Sequence, residues 1–180
     1  MSEIVLITGG SRSGKSDFAQ QYAEQRSGEK IYLATCPPAA DDELAERISR
    51  HREQRQGKNW QTIEEQTELS TALAQASSSA VMLIDCLTLW VSNLLLAGGD
   101  GWAMITEDRI AELSSRMLAV CRRRSAQTIM VSGEVGCGVV PENDLARRYR
   151  DLVGRCNQIV AAEADEVYLV SCGIPFRIKG

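Results

Sequence analysis

The feature that most constrains this chain is the stretch Gly9-Gly10-Ser11-Arg12-Ser13-Gly14-Lys15-Ser16, set directly after the apolar run Ile4-Val5-Leu6-Ile7-Thr8. It fits G-x-x-x-x-G-K-S/T in the context that pattern requires, a strand before it and helical spacing from Ser13 to Gln25 after it. Glycines let backbone N–H groups curl round a polyphosphate, and the start of the following helix adds unpaired donors and the positive end of a dipole. Lys15 supplies a point charge for the β and γ phosphates. The Ser16 hydroxyl is offered to Mg²⁺, which takes one or two protein ligands beside phosphate oxygens. Such a loop is held between a strand and a helix, so the fold must contain both.

Four more runs resemble the first: Ile31–Thr35, Val81–Asp85, Thr128–Ser132 and Val167–Ser171. All are short, apolar and nearly free of alternation, which predicts strands buried on both faces in a parallel sheet. Helical spacing lies between them. Asp41–Gln56 carries acids in its first turn and Arg47, Arg50, Arg52 and Arg55 later, an order that suits the helix dipole. Thr106–Arg124 has an apolar stripe of Ile110, Leu113, Met117, Leu118 and Cys121; its terminal Arg122-Arg123-Arg124 reads as a dipole-capping run rather than a binding patch. Glu142–Glu163 follows Pro141 and aligns Leu145, Tyr149, Leu152, Cys156 and Ile159. Gly98-Gly99-Asp100-Gly101 reads as a loop tip. The alternation of strand and helix predicts an α/β fold, a mostly parallel sheet with helices on both faces, in one domain over residues 1–180.

Charge and composition narrow the function. Twenty Lys and Arg against 24 Asp and Glu leave a net charge of −4, which is not the footprint of a nucleic-acid binder. The most apolar window, Val81–Ala97, is broken by Asp85, Ser92 and Asn93, so no membrane span is expected. Met1-Ser2-Glu3 lacks a basic stretch ahead of an apolar core, which makes a signal peptide unexpected and a cytoplasmic location the reading. Cys36, Cys86, Cys121, Cys137, Cys156 and Cys172 form no C-x-x-C pair, so reduced thiols are expected and a zinc site is not.

A phosphate loop needs a partner acid at the end of another strand, and Asp85 is the best placed; the alternative is a strand-end Asp capping a helix that begins near Leu87. Glu134, in Gly133-Glu134-Val135-Gly136, either orients a water or metal or is a loop acid held in a tight turn. N-K-x-D is absent, and Asp151-Leu152-Val153-Gly154 matches D-x-x-G inside a helical pattern, so a regulatory GTPase is disfavoured. His51, the one histidine, shares a helical face with Leu44 and Ile48. Position alone makes it a helix-face residue. Its flanking arginines give a second possibility: a neutral imidazole beside a clamped triphosphate can attack phosphorus and form a phosphoramidate.

Several ordered segments carry a resemblance. GGSRSGKS, DDELAERISRHREQR, IDCLTLWVSNLL and SGEVGCGVVPENDLARRYRDLVGRCNQIVAAEADEVYLV together look like the bifunctional adenosylcobinamide kinase/adenosylcobinamide-phosphate guanylyltransferase family, from Ile4 to Gly173. The resemblance implies a RecA-like P-loop fold, a homotrimer, Mg²⁺, and ATP and GTP as substrates. It also implies two reactions, phosphorylation of the aminopropanol hydroxyl of adenosylcobinamide and transfer of GMP to that phosphate through a guanylylated histidine. Carried over by position, Gly9, Gly10, Ser11, Arg12, Ser13, Gly14, Lys15 and Ser16 hold the triphosphate and His51 is the nucleophile. Thr35, Arg52, Arg55, Glu64 and Asp85 fall where such proteins contact the guanine nucleotide, with Ser16 and Asp85 on the metal. The sequence departs from the family at Arg50, where a second histidine can precede the nucleophile, and at Gly133, where Asn often precedes Glu-Val-Gly.

Two rivals share the loop. A simple small-molecule kinase would use Lys15 and Mg²⁺ without a covalent histidine. A nucleotide-driven switch would show hydrolysis stimulated by a protein partner and need no small-molecule acceptor.

Overall fold

The structure is a computed structural model that describes residues 2–37, 46, 49, 53, 55–97 and 105–180. In chain order the elements are β1 (Ile4–Gly9), α1 (Lys15–Glu24), β2 (Lys30–Ala34), β3 (Trp60–Glu64), α2 (Leu69–Gln75), β4 (Val81–Asp85), α3 (Leu87–Leu96), α4 (Glu107–Arg123), β5 (Thr128–Gly133), α5 (Asp144–Glu163), β6 (Glu166–Ser171) and β7 (Ile174–Lys179). The strands form one seven-stranded sheet in the order β3-β2-β4-β5-β1-β6-β7. Every pairing is parallel except that of β6 with β7.

The lack of alternation in the strand sequences has a direct cause. Ile4, Leu6, Ile31, Leu33, Met82, Ile84 and Met130 point to one face and pack against Leu69 and Leu73 of α2, Trp90 of α3, Met117 of α4 and Leu152 of α5. Val5, Ile7, Tyr32, Val81, Leu83, Ile129 and Val131 point the other way, toward Ala19, Tyr22 and Ala23 of α1. Both faces are covered, so both sets are apolar. The run Val167–Ser171 departs from this expectation, because Leu169 is 39% exposed. Phe18 and Tyr22 of α1 pack on Tyr168 across one face of β6, and the sheet ends beside it in β7, which is exposed along its whole length.

Two of the helices, α4 and α5, start at side-chain caps. The Thr106 side chain accepts from the Arg109 N–H at 3.1 Å, and that of Asn143 from the Ala146 N–H at 3.0 Å. The Asn143 cap sets the start of α5 at Asp144, two residues later than the periodicity suggested. Glu46, Ser49, Glu53 and Arg55 are helical, as expected within Asp41–Gln56. The rest of that segment up to residue 54 and the Gly98–Gly101 loop tip lie outside the described residues. All six cysteines are free. No described helix is long and apolar enough to cross a membrane.

Arg122 and Arg123 lie in the last turn of α4, where basic residues suit the helix dipole, and Arg122 and Arg124 also bind neighbouring elements. Arg122 binds Asp165 at 2.6 Å and the Ser2 carbonyl at 3.0 Å. Arg124 is buried and donates to the carbonyls of Leu73, Ser77 and Ala80 at 3.1, 2.8 and 2.8 Å, stitching the end of α2 to the start of β4. Arg124→Ala strands these carbonyls, and a loss of about 3 kcal/mol is expected in urea unfolding. Arg123→Ala, on the exposed side, is the control and leaves the midpoint nearly unmoved.

Candidate active site

All the catalytic candidates that the structure describes gather where the parallel strands end, the edge at which open α/β sheets bind ligands. The loop after β1 turns on Arg12, in the left-handed region at φ 54°, and on Gly14, at φ 89°. Gly14 is the N-cap of α1, and its carbonyl accepts from the Phe18 N–H at 3.0 Å. The Lys15 Nζ curls back onto the Gly10 carbonyl at 3.1 Å, so its ammonium hangs over the cradle. A Cβ on Gly9 would lie 2.4 Å from the Val170 carbonyl oxygen and 2.7 Å from Ser13 Oγ, so neighbouring backbone excludes any side chain there. Gly10 has nothing within 4 Å of its Cβ position. The turn between β6 and β7 braces the loop from the side, where the Gly173 N–H donates to the Ser13 carbonyl at 2.8 Å. Ser13 is buried, and its Oγ has no hydrogen-bond partner among the described residues. Ser11 and Arg12 are exposed at the rim.

Asp85 ends β4 and does not cap α3: the N-cap is Cys86, with no side-chain bond. Its carboxylate accepts from the Tyr32 hydroxyl at 3.0 Å. The Arg55 guanidinium lies 3.6 Å over the centre of the Tyr32 ring, within cation–π range. Burial, then the Asp85 charge, push the Tyr32 hydroxyl well above its usual range, with Arg55 opposing. Tyr32 therefore stays protonated and holds one oxygen of Asp85. The Cys86 thiol is pushed up to about 11, mainly by burial and then by Asp85, with Lys15 pulling it down. It is not a nucleophile at neutral pH.

Thr35 is fully buried, and its side chain faces the protein. Its Oγ1 donates to the Cys86 carbonyl at 2.8 Å and accepts from the Cys86 N–H at 2.7 Å. Asn93 Nδ2 reaches the carbonyls of Thr35 at 2.8 Å and Gln66 at 3.1 Å, tying together the loops that follow β2 and β3. Glu64, at the end of β3 opposite Ala34, is exposed. His51 and Arg52 lie outside the described residues. The positioning residues Tyr32 and Asn93 were not marked by sequence reasoning. A tyrosine in an apolar strand carries no signal, whereas Asn93, with Ser92 beside it, interrupts a mostly apolar helix.

The chain leaving β5 enters the same edge. The Gly133 N–H donates to Thr88 Oγ1 at 3.1 Å, and its carbonyl accepts from Asn157 Nδ2 at 3.1 Å. A Cβ at 133 would sit 3.0 Å from Thr88 Cγ2, so a larger residue here requires Thr88 to shift. The Glu134 N–H donates to the Gly9 carbonyl at 2.9 Å, and its Oε1 accepts from the Gly136 N–H at 2.7 Å. Glu134 is thus a loop acid held in a tight turn. Asp151 sits exposed within α5, away from any strand end.

The Asp85 carboxylate at a strand end and the Ser16 hydroxyl in the first turn of α1 are hard oxygen donors, the set that suits Mg²⁺ shared with phosphates. Among the described residues no cluster of three His, Cys, Asp or Glu forms a closed metal cage.

Residues 5–178 match the sequence model of the family described as cobinamide kinase / cobinamide phosphate guanyltransferase. The chain is 40% identical to the bifunctional adenosylcobalamin biosynthesis protein CobU of Escherichia coli, covering 98% of this chain and 99% of that protein. It is 41% identical to the CobU of Salmonella typhimurium with the same coverage. Identity to the CobP of Pseudomonas aeruginosa is 37%, over 97% and 96% of the two chains. Among solved structures, a type III secretion system ATPase superposes with TM-score 0.60 at 15% identity, covering 95% of this chain and 52% of that one. The flagellar accessory protein FlaH of Methanocaldococcus jannaschii does so with TM-score 0.54 at 12% identity, over 98% and 78%. These two likenesses concern the fold alone.

Proposed function

Because the chain belongs to the cobinamide kinase / cobinamide phosphate guanyltransferase family, we propose that it phosphorylates adenosylcobinamide and then guanylylates the product by way of His51. The reading rests chiefly on an intact phosphate loop lying at one sheet edge with Asp85 and Arg55, inside a match that spans residues 5–178.

In the first step the hydroxyl oxygen of the aminopropanol arm attacks the γ phosphorus of ATP or GTP. The bond to the β–γ bridging oxygen breaks, the nucleoside diphosphate leaves, and the hydroxyl proton passes to solvent. Phosphoryl transfer of this kind depends mainly on positioning and charge stabilisation. The backbone N–H groups of Gly9–Ser16 and the Lys15 ammonium supply both. In the second step a His51 nitrogen attacks the α phosphorus of GTP and pyrophosphate leaves. A phosphate oxygen of the corrinoid then attacks the same phosphorus, the P–N bond breaks, and the histidine is restored. Splitting the transfer makes each displacement easier than a direct reaction between two anions.

Ser16 and Asp85 would hold Mg²⁺, which neutralises phosphate charge when bound. Thr35 would act through the Cys86 backbone that it fixes, and Arg52, Arg55 and Glu64 would line the guanine nucleotide. The whole of residues 1–180 would act as one catalytic domain in the cytoplasm. A homotrimer is part of this reading. Ile174, Phe176 and Ile178 are 69, 67 and 56% exposed along β7, with Leu169 in register beside Phe176, and such an apolar strip favours association between copies.

Incubation with Mg²⁺ and GTP labelled at the α phosphate tests the reading. Label that stays on the denatured protein, survives base and is lost in acid is the expected result. No label while phosphate still reaches adenosylcobinamide would establish the simple kinase instead.

A further inference from the structure

We infer that the loop Glu134–Val140 is the arm that receives the corrin ring of the acceptor, with Val139 and Val140 as its contact surface. The inference rests on the function proposed above and names a binding surface for that reaction.

Topology fixes the position of the arm. β5 lies between β1 and β4, with Gly133 in register with Gly9 and Val131 with Asp85. The chain leaving β5 therefore rises between the phosphate loop and the Asp85 carboxylate. An acceptor hydroxyl that attacks a γ phosphorus must come within about 3.5 Å of it. The ring is tethered to that hydroxyl by a side arm, so it comes to rest within the arm's reach of the cradle, and this loop leaves the sheet beside the cradle at Gly9.

Both ends of the arm are fixed and its tip is open. At one end Gly133 is held by Thr88 and Asn157, and Glu134 is bonded to Gly9. At the other end Arg147 Nη1 donates to the Pro141 carbonyl at 2.8 Å. Between them Val135, Val139 and Val140 are 36, 96 and 60% exposed. The other exposed large hydrophobic residues among those described lie on β6 and β7, apart from Leu96, so these valines belong to a different segment from that strip. The stretch from Val135 to Pro141, Val-Gly-Cys-Gly-Val-Val-Pro, carries no charge. A corrin is fringed with methyl groups and neutral amides. Valine methyls match the first, and the open backbone of a glycine-rich loop can pair with the second. A stiff stem with an exposed apolar tip loses little entropy on binding, which suits recognition of a large rigid ligand.

The test is the double variant Val139→Ser/Val140→Ser in the full chain, assayed for phosphorylation of adenosylcobinamide. The expected result is a rise of about tenfold or more in KM for the corrinoid, carried by KM rather than kcat, which corresponds to partial loss of burial of two valines. Val139→Ile/Val140→Ile should restore it. Equilibrium binding of GTP reports that the cradle is intact. A KM that does not move overturns the inference. So does a change of sedimentation coefficient with KM unmoved, which would assign the valines to contacts between copies. Equilibrium dialysis with adenosylcobinamide alone separates this inference from the reaction. Wild type that binds the corrinoid and transfers nothing would refute the proposed function, while the affinity of the variant would still decide the role of the arm.

Discussion

Replacing His51 with alanine is expected to abolish both the acid-labile GMP label and the formation of adenosylcobinamide-GDP, with phosphorylation of adenosylcobinamide still measurable. The drop in guanylyl transfer should be at least about 10³-fold, because the remaining route is direct attack by a phosphate dianion on the α phosphorus of GTP. The imidazole has no counterpart in this chain, since His51 is its single histidine. Phosphorylation needs the cradle and the Lys15 charge, neither of which depends on an imidazole. Assaying the two half-reactions on one preparation, with GTP affinity measured alongside, distinguishes a lost nucleophile from a damaged site. A variant that transfers GMP at the wild-type rate would remove His51 from the mechanism.

The second large effect is at Lys15. Lys15→Ala should cripple both half-reactions, each by about 10³-fold, or roughly 4 kcal/mol of transition-state stabilisation. In the structure the ammonium is held only by the Gly10 carbonyl among the described residues, so a triphosphate entering the loop can claim it. For the same reason the substitution removes little from the fold, and thermal melting should stay within a few degrees of wild type. A phosphorylation rate untouched by Lys15→Ala would mean that a second triphosphate site exists.

The sequence was most legible where function is local. The phosphate loop is contiguous in the chain, so its glycines, Lys15 and Ser16 could be assigned from spacing. The strands buried on both faces showed as apolar runs because each must satisfy two cores. Edge strands did not show. β3 is largely exposed, and its sequence Trp-Gln-Thr-Ile-Glu is half polar. β7 carries Pro175, which an edge strand tolerates and a central one does not. The link from Asp85 through Tyr32 to Arg55 joins three segments remote in the chain, and nothing in the spacing of these residues announces it. Asp85 itself could be singled out from its place at a strand end, but only the tyrosine hydroxyl shows that its carboxylate is held rather than spent on a helix cap. Position at a helix end identifies the arginine run of α4 as suited to the dipole, but the carbonyls that Arg122 and Arg124 bind belong to other elements and leave no mark in the local sequence.

The two adjacent glycines that open the phosphate loop are identical letters with opposite tolerances. Position 9 is closed by the protein itself, since the Val170 carbonyl of the neighbouring strand already occupies the space that any side chain would need. Position 10 has no atom within 4 Å of where a Cβ would sit, so the protein itself leaves room for a side chain there. A side chain at 10 would therefore project into the space proposed for the polyphosphate without disturbing the sheet, whereas one at 9 would have to displace the backbone of a neighbouring strand.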